Sequence, residues 1–199
     1  MSYLFKQKQA ARPGAPLLFA FHGTGGDETQ LFGFAEKLAP EAGIVAPRGD
    51  VSEHGASRFF RRKAEGVYDM ADLAARSAAM AAFVAARKDE AEPGLTIGLG
   101  YSNGANILAA VALAHPELFD ALVLMHPLIP WAPQDDPRLA RLKVLITAGR
   151  RDPICPPDLT EGLARFLQRQ GAQVTLAWHD GGHEARPSEE AAIAAFLER

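Results

Sequence analysis

Three polar residues of this 199-residue chain each stand just past a short apolar run, and their types are those that acyl transfer uses. Ser102 lies in Gly100-Tyr101-Ser102-Asn103-Gly104, after the run Leu95–Leu99 and before Ala105–Val111. A serine between two glycines at a strand-to-helix junction predicts a tight turn. Side chains at the flanking positions would crowd the backbone, and the hydroxyl is pushed out beyond the strand end. The first amides of the following helix point into the same space. Asp152 follows Val144–Ala148 in Gly149-Arg150-Arg151-Asp152-Pro153, where a carboxylate braced by prolines can orient an imidazole. His183 follows Gln173–Trp178 in His179-Asp180-Gly181-Gly182-His183-Glu184, a glycine loop that can carry an imidazole over the sheet edge. The chemistry predicted is a serine nucleophile, a histidine base and an aspartate that orients it.

A fourth loop belongs with these three. After Leu17–Phe21 comes His22-Gly23-Thr24-Gly25-Gly26-Asp27-Glu28, a turn whose backbone amides can point into a cavity as an oxyanion hole requires. It has neither the Gly-Lys-Ser/Thr ending nor the Gly-x-Gly-x-x-Gly spacing of a phosphate loop. His179 competes with His183 for the role of base. The two histidines lack the glutamate of a His-Glu-x-x-His helix, so no metal is expected, and the chemistry calls for no cofactor. His22, His54, His115 and His126 are expected to be structural or solvent-exposed. Cys155 has no base placed beside it and is expected to be a small buried residue near Asp152.

These residues need a scaffold that gathers strand ends. The runs Leu17–Phe21, Gly43–Ala46, Leu95–Leu99, Ala121–Met125, Val144–Ala148 and Gln173–Trp178 are near-continuous in Val, Leu, Ile and Phe, as in strands covered on both faces. Tyr3–Lys8 is expected to add an antiparallel edge strand. Between the runs, Met70, Leu73, Ser77, Met80 and Val84 repeat at helical spacing, as do Leu159, Leu163, Phe166 and Leu167. Asp158 and Glu161 are expected to form a capping box at the start of the second of these helices. Ile193, Phe196 and Leu197 mark a last helix after Pro187-Ser188, and 103–114 is apolar on nearly all sides. Alternating strand and helix predict an α/β fold: one domain over 1–199, with a mostly parallel sheet and helices on both faces. Ligands in such sheets gather at the carboxyl ends of the strands. Two stretches lack periodicity, 47–68 and 126–138. The second is too short for a lid domain, and an open cleft walled by Phe59, Phe60 and Trp131 is expected.

Bulk properties exclude several classes. Hydrophobic residues make up 48% and charged residues 23%, with a net charge of −3, so nothing draws the chain to nucleic acid or an anionic membrane. The basic cluster Arg58-Phe59-Phe60-Arg61-Arg62-Lys63 fits a solvated loop edge or a pocket wall. One cysteine forbids an intrachain disulfide, and with no signal-like or membrane-spanning segment a cytoplasmic location is expected. The partner expected is a small-molecule ester; a homodimer is left open.

The segments 22–28, Pro47–Gly55, Gly100–Gly104, Gly149–Pro156 and Gly181–Glu184 together resemble the phospholipase/carboxylesterase family of α/β-hydrolases. Within it the chain is most similar to small bacterial esterases of the quinone- and aromatic-resistance-associated branch. The resemblance covers nearly the whole chain and the order Ser102, Asp152, His183 agrees with it. It implies an α/β-hydrolase fold in minimal form, Ser102 as nucleophile, Asp152 as orienter and His183 as base, with the amides of Thr24 and Asn103 as oxyanion hole. The implied activity is hydrolysis of short- to medium-chain carboxylic esters through an acyl-enzyme. The rivals are an acyl thioesterase or lysophospholipase, a peptidase, and a non-catalytic binding module. Wider-family lipid hydrolases carry leucine where Thr24 stands. Dienelactone hydrolases carry cysteine at the elbow, and Ser102 is expected to set the chain apart from them.

Overall fold

The computed structural model describes residues 3–198. Strand β1 (Phe5–Lys8) and strand β2 (Leu17–Phe21) are followed by a short helix α1 (Phe32–Leu38) and strand β3 (Gly43–Pro47). Four short strands come next: β4 (Val51–Glu53), β5 (Ala56–Arg58), β6 (Arg62–Ala64) and β7 (Val67–Tyr68). Helix α2 (Met70–Ala91), strand β8 (Thr96–Tyr101), helix α3 (Asn103–Ala114) and strand β9 (Ala121–Met125) form the middle. Strand β10 (Lys143–Gly149), helix α4 (Pro157–Arg169), strand β11 (Gln173–His179) and helix α5 (Pro187–Leu197) complete it.

One seven-stranded sheet runs β1-β3-β2-β8-β9-β10-β11. Only β1 is antiparallel, pairing Phe5 with Pro47 and Lys8 with Ile44; the other ladders are parallel. Alternate residues of each apolar strand serve opposite faces, the period-two rule of the pleat. Leu17, Phe19 and Phe21 of β2 join a core with α2, α3 and α4. Leu18 and Ala20 join the other core, with Phe32 and Ala35 of α1 and Ile193 of α5. Helix α3 has no polar face to turn outward because it is packed under α2 and over β8 and β9, so its residues 103–112 are all buried.

This is the α/β-hydrolase arrangement expected, with no lid domain among the described residues. Chain order along the sheet reverses between β2 and β8: β3 lies to one side of β2, and the later strands lie to the other. At such a switch point the loops leaving the two strands diverge and open a crevice. The loop after β2 carries Thr24 and the turn after β8 carries Ser102.

One expectation needs correction, and two parts of the chain form elements that no periodicity signals. The stretch 47–68, which lacks periodicity, folds as two hairpins, β4–β5 turning at His54-Gly55 and β6–β7. Its strands are two or three residues long, too short to show alternation. Helix α4 begins at Pro157, with Pro156 at the cap and no side-chain cap bond, so Asp158 and Glu161 form no capping box; a proline in the first turn supplies the helical φ instead. The capping bond lies in α5, where the Arg186 N–H donates to Glu189 Oε2 at 2.6 Å. Helix α1 showed no periodic signal in its seven residues.

Candidate active site

Ser102 occupies the one residue between β8 and α3, at φ 51° and ψ −116°, a conformation uncommon for a non-glycine residue. Its N–H donates to the Met125 carbonyl at 2.9 Å, and its own carbonyl accepts the Asn106 N–H at 2.9 Å, the first bond of α3. The flanking glycines make this turn fit. A Cβ on Gly104 would stand 2.1 Å from the Phe21 carbonyl oxygen, and one on Gly100 would stand 2.7 Å from the Ala105 nitrogen.

The structure brings Ser102, His183 and Asp152 into one hydrogen-bonded line. Ser102 Oγ lies 2.8 Å from His183 Nε2, and His183 Nδ1 lies 2.7 Å from Asp152 Oδ2. Asp152 is buried, and its Oδ1 accepts the N–H groups of Ile154 at 2.8 Å and Cys155 at 2.9 Å. Burial alone would raise its pKa. The Cys155 amide, the His126 and His183 rings and the Ile154 amide outweigh burial and hold the carboxyl below its ordinary range. The His183 loop is tied down by Tyr101, whose hydroxyl donates to the His183 carbonyl at 2.8 Å. His179, the competing base, is buried away from Ser102 and faces Glu189 and His126.

The loop after β2 is anchored on three sides. The Gly23 N–H donates to Gln30 Oε1 at 2.7 Å, the Gly25 N–H to the Ser57 carbonyl at 2.9 Å, and Arg58 Nη1 to Thr24 Oγ1 at 2.8 Å. His22 is structural, as expected: Gly49 N–H donates to its Nε2 at 2.9 Å, and burial lowers its pKa. The N–H groups of Thr24 and Asn103 have no protein acceptor among the described residues. Asn103 follows Ser102 in the chain, and both it and Thr24 line the cleft beside Ser102. Asn103 Oδ1 meanwhile accepts the Phe59 N–H at 2.8 Å, joining α3 to the end of the first hairpin.

A cleft of about 280 Å³ opens beside Ser102 and His183. Thr24, Arg58, Tyr68, Leu128, Ile154 and Cys155 are among its walls. Phe59, Phe60 and Trp131, expected here, do not line it. Phe59 packs on Phe21 and His22, and Phe60 on Tyr68, both with essentially no exposure, because rings that follow β5 gain more by entering the core than by facing a wet cleft. Trp131 stands behind Tyr68, edge-on at 6.1 Å. Tyr68 takes the wall position because its hydroxyl receives the Asn106 Nδ2–H and donates to the Leu128 carbonyl, each at 2.8 Å. No spacing in the sequence signals this. Cys155 is buried, as expected, burial raises its thiol pKa, and its Sγ–H donates to the His126 carbonyl at 3.2 Å. A larger groove, about 520 Å³, lies at the amino ends of β2 and β3, the opposite end of the sheet from Ser102.

Behind the line of three sit His126, His179 and Glu189, whose ligand atoms lie within 4.8 Å of one another as a metal would require. Their hydrogen bonds already use those atoms. The Gly181 N–H donates to His179 Nδ1 at 3.0 Å, so the proton of a neutral ring sits on Nε2, the atom a metal would need bare. Glu189 accepts Thr147 Oγ1–H and the Arg186 N–H, both at 2.6 Å. The donor set does not fit an ion. His126 was expected to be structural or exposed; it is fully buried and joined to Asp152, which its position after β9 did not reveal.

Residues 5–193 match the dienelactone hydrolase family. The protein MhqD of Bacillus subtilis (strain 168), a hydrolase by name, is 38% identical over 175 residues, 87% of this chain and 88% of its own. The structure of Atu2452 from Agrobacterium tumefaciens str. C58, described as of unknown function, superposes with TM-score 0.92 at 54% identity, covering 98% of this chain and 96% of that one. A Bacillus cereus carboxylesterase gives TM-score 0.92 at 34% identity, over 98% and 94%. The match overturns the expectation that Ser102 sets the chain apart from dienelactone hydrolases.

Proposed function

The chain belongs to the dienelactone hydrolase family and is a hydrolase of the esterase type; from that premise we propose that it is a serine carboxylesterase acting on short- to medium-chain carboxylic esters. The observation that carries this reading is the continuous line from Ser102 Oγ through His183 to Asp152, at 2.8 and 2.7 Å. His183 Nε2 takes the Ser102 proton as Oγ attacks the ester carbonyl, then gives it to the departing alcohol. Asp152 holds the ring by Nδ1–H and stabilises the imidazolium. The free amides of Thr24 and Asn103 receive the oxyanion, each such donor being worth roughly 3–4 kcal/mol in the transition state. Water then attacks the acyl-serine by the same route, releasing the acid and restoring the hydroxyl. No step draws on a metal or organic cofactor.

The cleft supports the substrate range. At about 280 Å³ it falls just below the roughly 300–1,000 Å³ of typical ligand sites, which fits a small acyl group better than a long chain. Polar walls at Thr24, Arg58 and Asn106 also favour a compact ester over a lipid tail. The test is labelling by a fluorophosphonate probe followed by turnover of a panel of esters, thioesters and amides. Ser102→Ala is expected to stay folded, escape the label and lose ester hydrolysis by several orders of magnitude. Undiminished turnover of an activated ester by that variant would sink the assignment, and a preference for thioesters or peptides would redirect it.

A further inference from the structure

The residues behind Asp152 have no part in the reaction as just derived, yet they are fully accounted for by hydrogen bonds. Asp152 Oδ2 receives two imidazoles: His183 Nδ1 at 2.7 Å and His126 Nδ1 at 2.9 Å. The opposite nitrogen of His126, Nε2, lies 3.2 Å from Glu189 Oε1, which also accepts Thr147 Oγ1–H. Glu189 Oε2 accepts the Arg186 N–H and faces His179 Nε2 at 3.4 Å. His126 thus has a carboxylate at each ring nitrogen, and its ring has no exposure to solvent.

A neutral imidazole carries one N–H and one bare lone pair. In this position the lone pair would face a carboxylate oxygen, whichever nitrogen it occupied. A ring protonated on both nitrogens donates to both carboxylates and leaves neither with an open site. The 3.4 Å approach of His126 Nε2 to His179 Nε2 is then two donors converging on Glu189, since Gly181 fixes the His179 proton on Nε2. We propose that His126 is a buried imidazolium bridging Asp152 and Glu189, and a positioning residue for the Ser102–His183–Asp152 line. The reading of its charge stands on geometry; its catalytic effect rests on the serine-esterase reading.

Other charged or titratable groups around the ring agree. Tyr101 from β8 meets it edge-on at 5.9 Å, His183 at 5.1 Å and His179 at 5.3 Å, while the Cys155 thiol donates to its carbonyl. Asp152 and Glu189 are the carboxylates in contact with the ring, so one cation sits between two anions. Burial works against charge on His126, but the hydrogen bonds its ring donates to Glu189 and Asp152 outweigh it and raise its pKa. Burial likewise pushes Glu189 up, and His126, Thr147 and the Arg186 amide bring it below its ordinary range.

The bridge has two consequences. It stops the Asp152 carboxylate from rotating, because each oxygen has two donors. It also shares the Asp152 charge between two cations once His183 is protonated, so the second carboxylate, Glu189, is needed to balance the site.

Nitrogen-15 NMR of histidine-labelled protein reads the charge without any turnover. Both His126 nitrogens are expected to stay protonated at neutral pH and beyond the pH at which an ordinary histidine loses its proton; a bare nitrogen at neutral pH would overturn the proposal. In Glu189→Gln the Nε2 proton is expected to come off at lower pH, and an unchanged titration would also count against it. Kinetics of His126→Gln read the positioning. A loss of roughly 10- to 100-fold in kcat is expected, as for removing a hydrogen bond to a charged group, with KM little changed. The acid limb of the pH profile is expected to move to higher pH, since Asp152 then serves His183 alone. An unmoved limb with a change in KM only would refute the positioning role, and so would full kcat. Activity surviving Ser102→Ala would instead refute the esterase mechanism and leave the NMR result standing.

Discussion

Substituting Gly149 by alanine should disable the site from a position that touches neither substrate nor nucleophile. Gly149 ends β10 and pairs with His179 in the parallel ladder, so it abuts the loop that carries His183. A Cβ there would lie 2.0 Å from the Gly182 carbonyl oxygen and 2.6 Å from that of Gly181. Contacts under 3.0 Å are not tolerated, and both neighbours are backbone, so the loop must retreat by about 1 Å. His183 is the next residue. A retreat of that size stretches the 2.8 Å link to Ser102 and the 2.7 Å link to Asp152 beyond hydrogen-bonding range. A misplacement of about 1 Å in a catalytic group costs on the order of 100-fold in rate, and overpacking costs about 1–3 kcal/mol of stability. The assay is kcat/KM on a p-nitrophenyl ester alongside the melting temperature and the rate of fluorophosphonate labelling. Gly162→Ala is the control: a Cβ there meets nothing within 4 Å, and in mid-helix the change is expected to stabilise by about 1 kcal/mol with activity unchanged. A folded Gly149→Ala protein with kcat/KM within about twofold of the parent would show that the loop yields without moving His183, and the reasoning would fail.

Across a graded series of p-nitrophenyl esters, kcat/KM should peak at short or medium acyl chains; a maximum at long chains would refute the reading of the cleft. Stability should depend on pH through the buried cluster. Asp152 and Glu189 have folded pKa values depressed below 3.8 and 4.5, so their contribution is present above about 4.5 and is lost as pH falls through the depressed values. His126 has a folded pKa raised above 6.5, so its contribution is present below 6.5 and is lost as pH rises through the raised value. Urea midpoints measured across this range should therefore fall on both sides for the parent and lose the alkaline decline in His126→Gln; identical profiles for the two proteins would rule this out.

Much of the site is legible in the sequence. Apolar runs buried on both faces dictate a parallel sheet, and a parallel sheet collects its loops at one edge, so Ser102, Asp152 and His183 could be placed together from strand order alone. The choice of His183 over His179 was narrower. Both follow β11, and only the path of the glycine loop, tied by Tyr101 and closed against Gly149, sets one imidazole over Ser102 and the other against Glu189. The pocket wall is not legible in the sequence, because aromatic residues in a loop look alike whether they face the cleft or the core. Packing decided that Phe59 and Phe60 go inward and that Tyr68, held by Asn106 and Leu128, lines the cleft.

The sequence by itself determined the sheet, the elbow and the residue types of the hydrogen-bonded line, because those depend on local spacing and on the two-residue period of strands. Tertiary structure alone decided the company Asp152 keeps. Its contacts with His126 and, through it, Glu189 span 26 and 63 positions of chain between residues 126 and 189. Such distant pairs carry no periodic or motif signal, and a buried histidine shows its charge only once the groups at both its nitrogens are known.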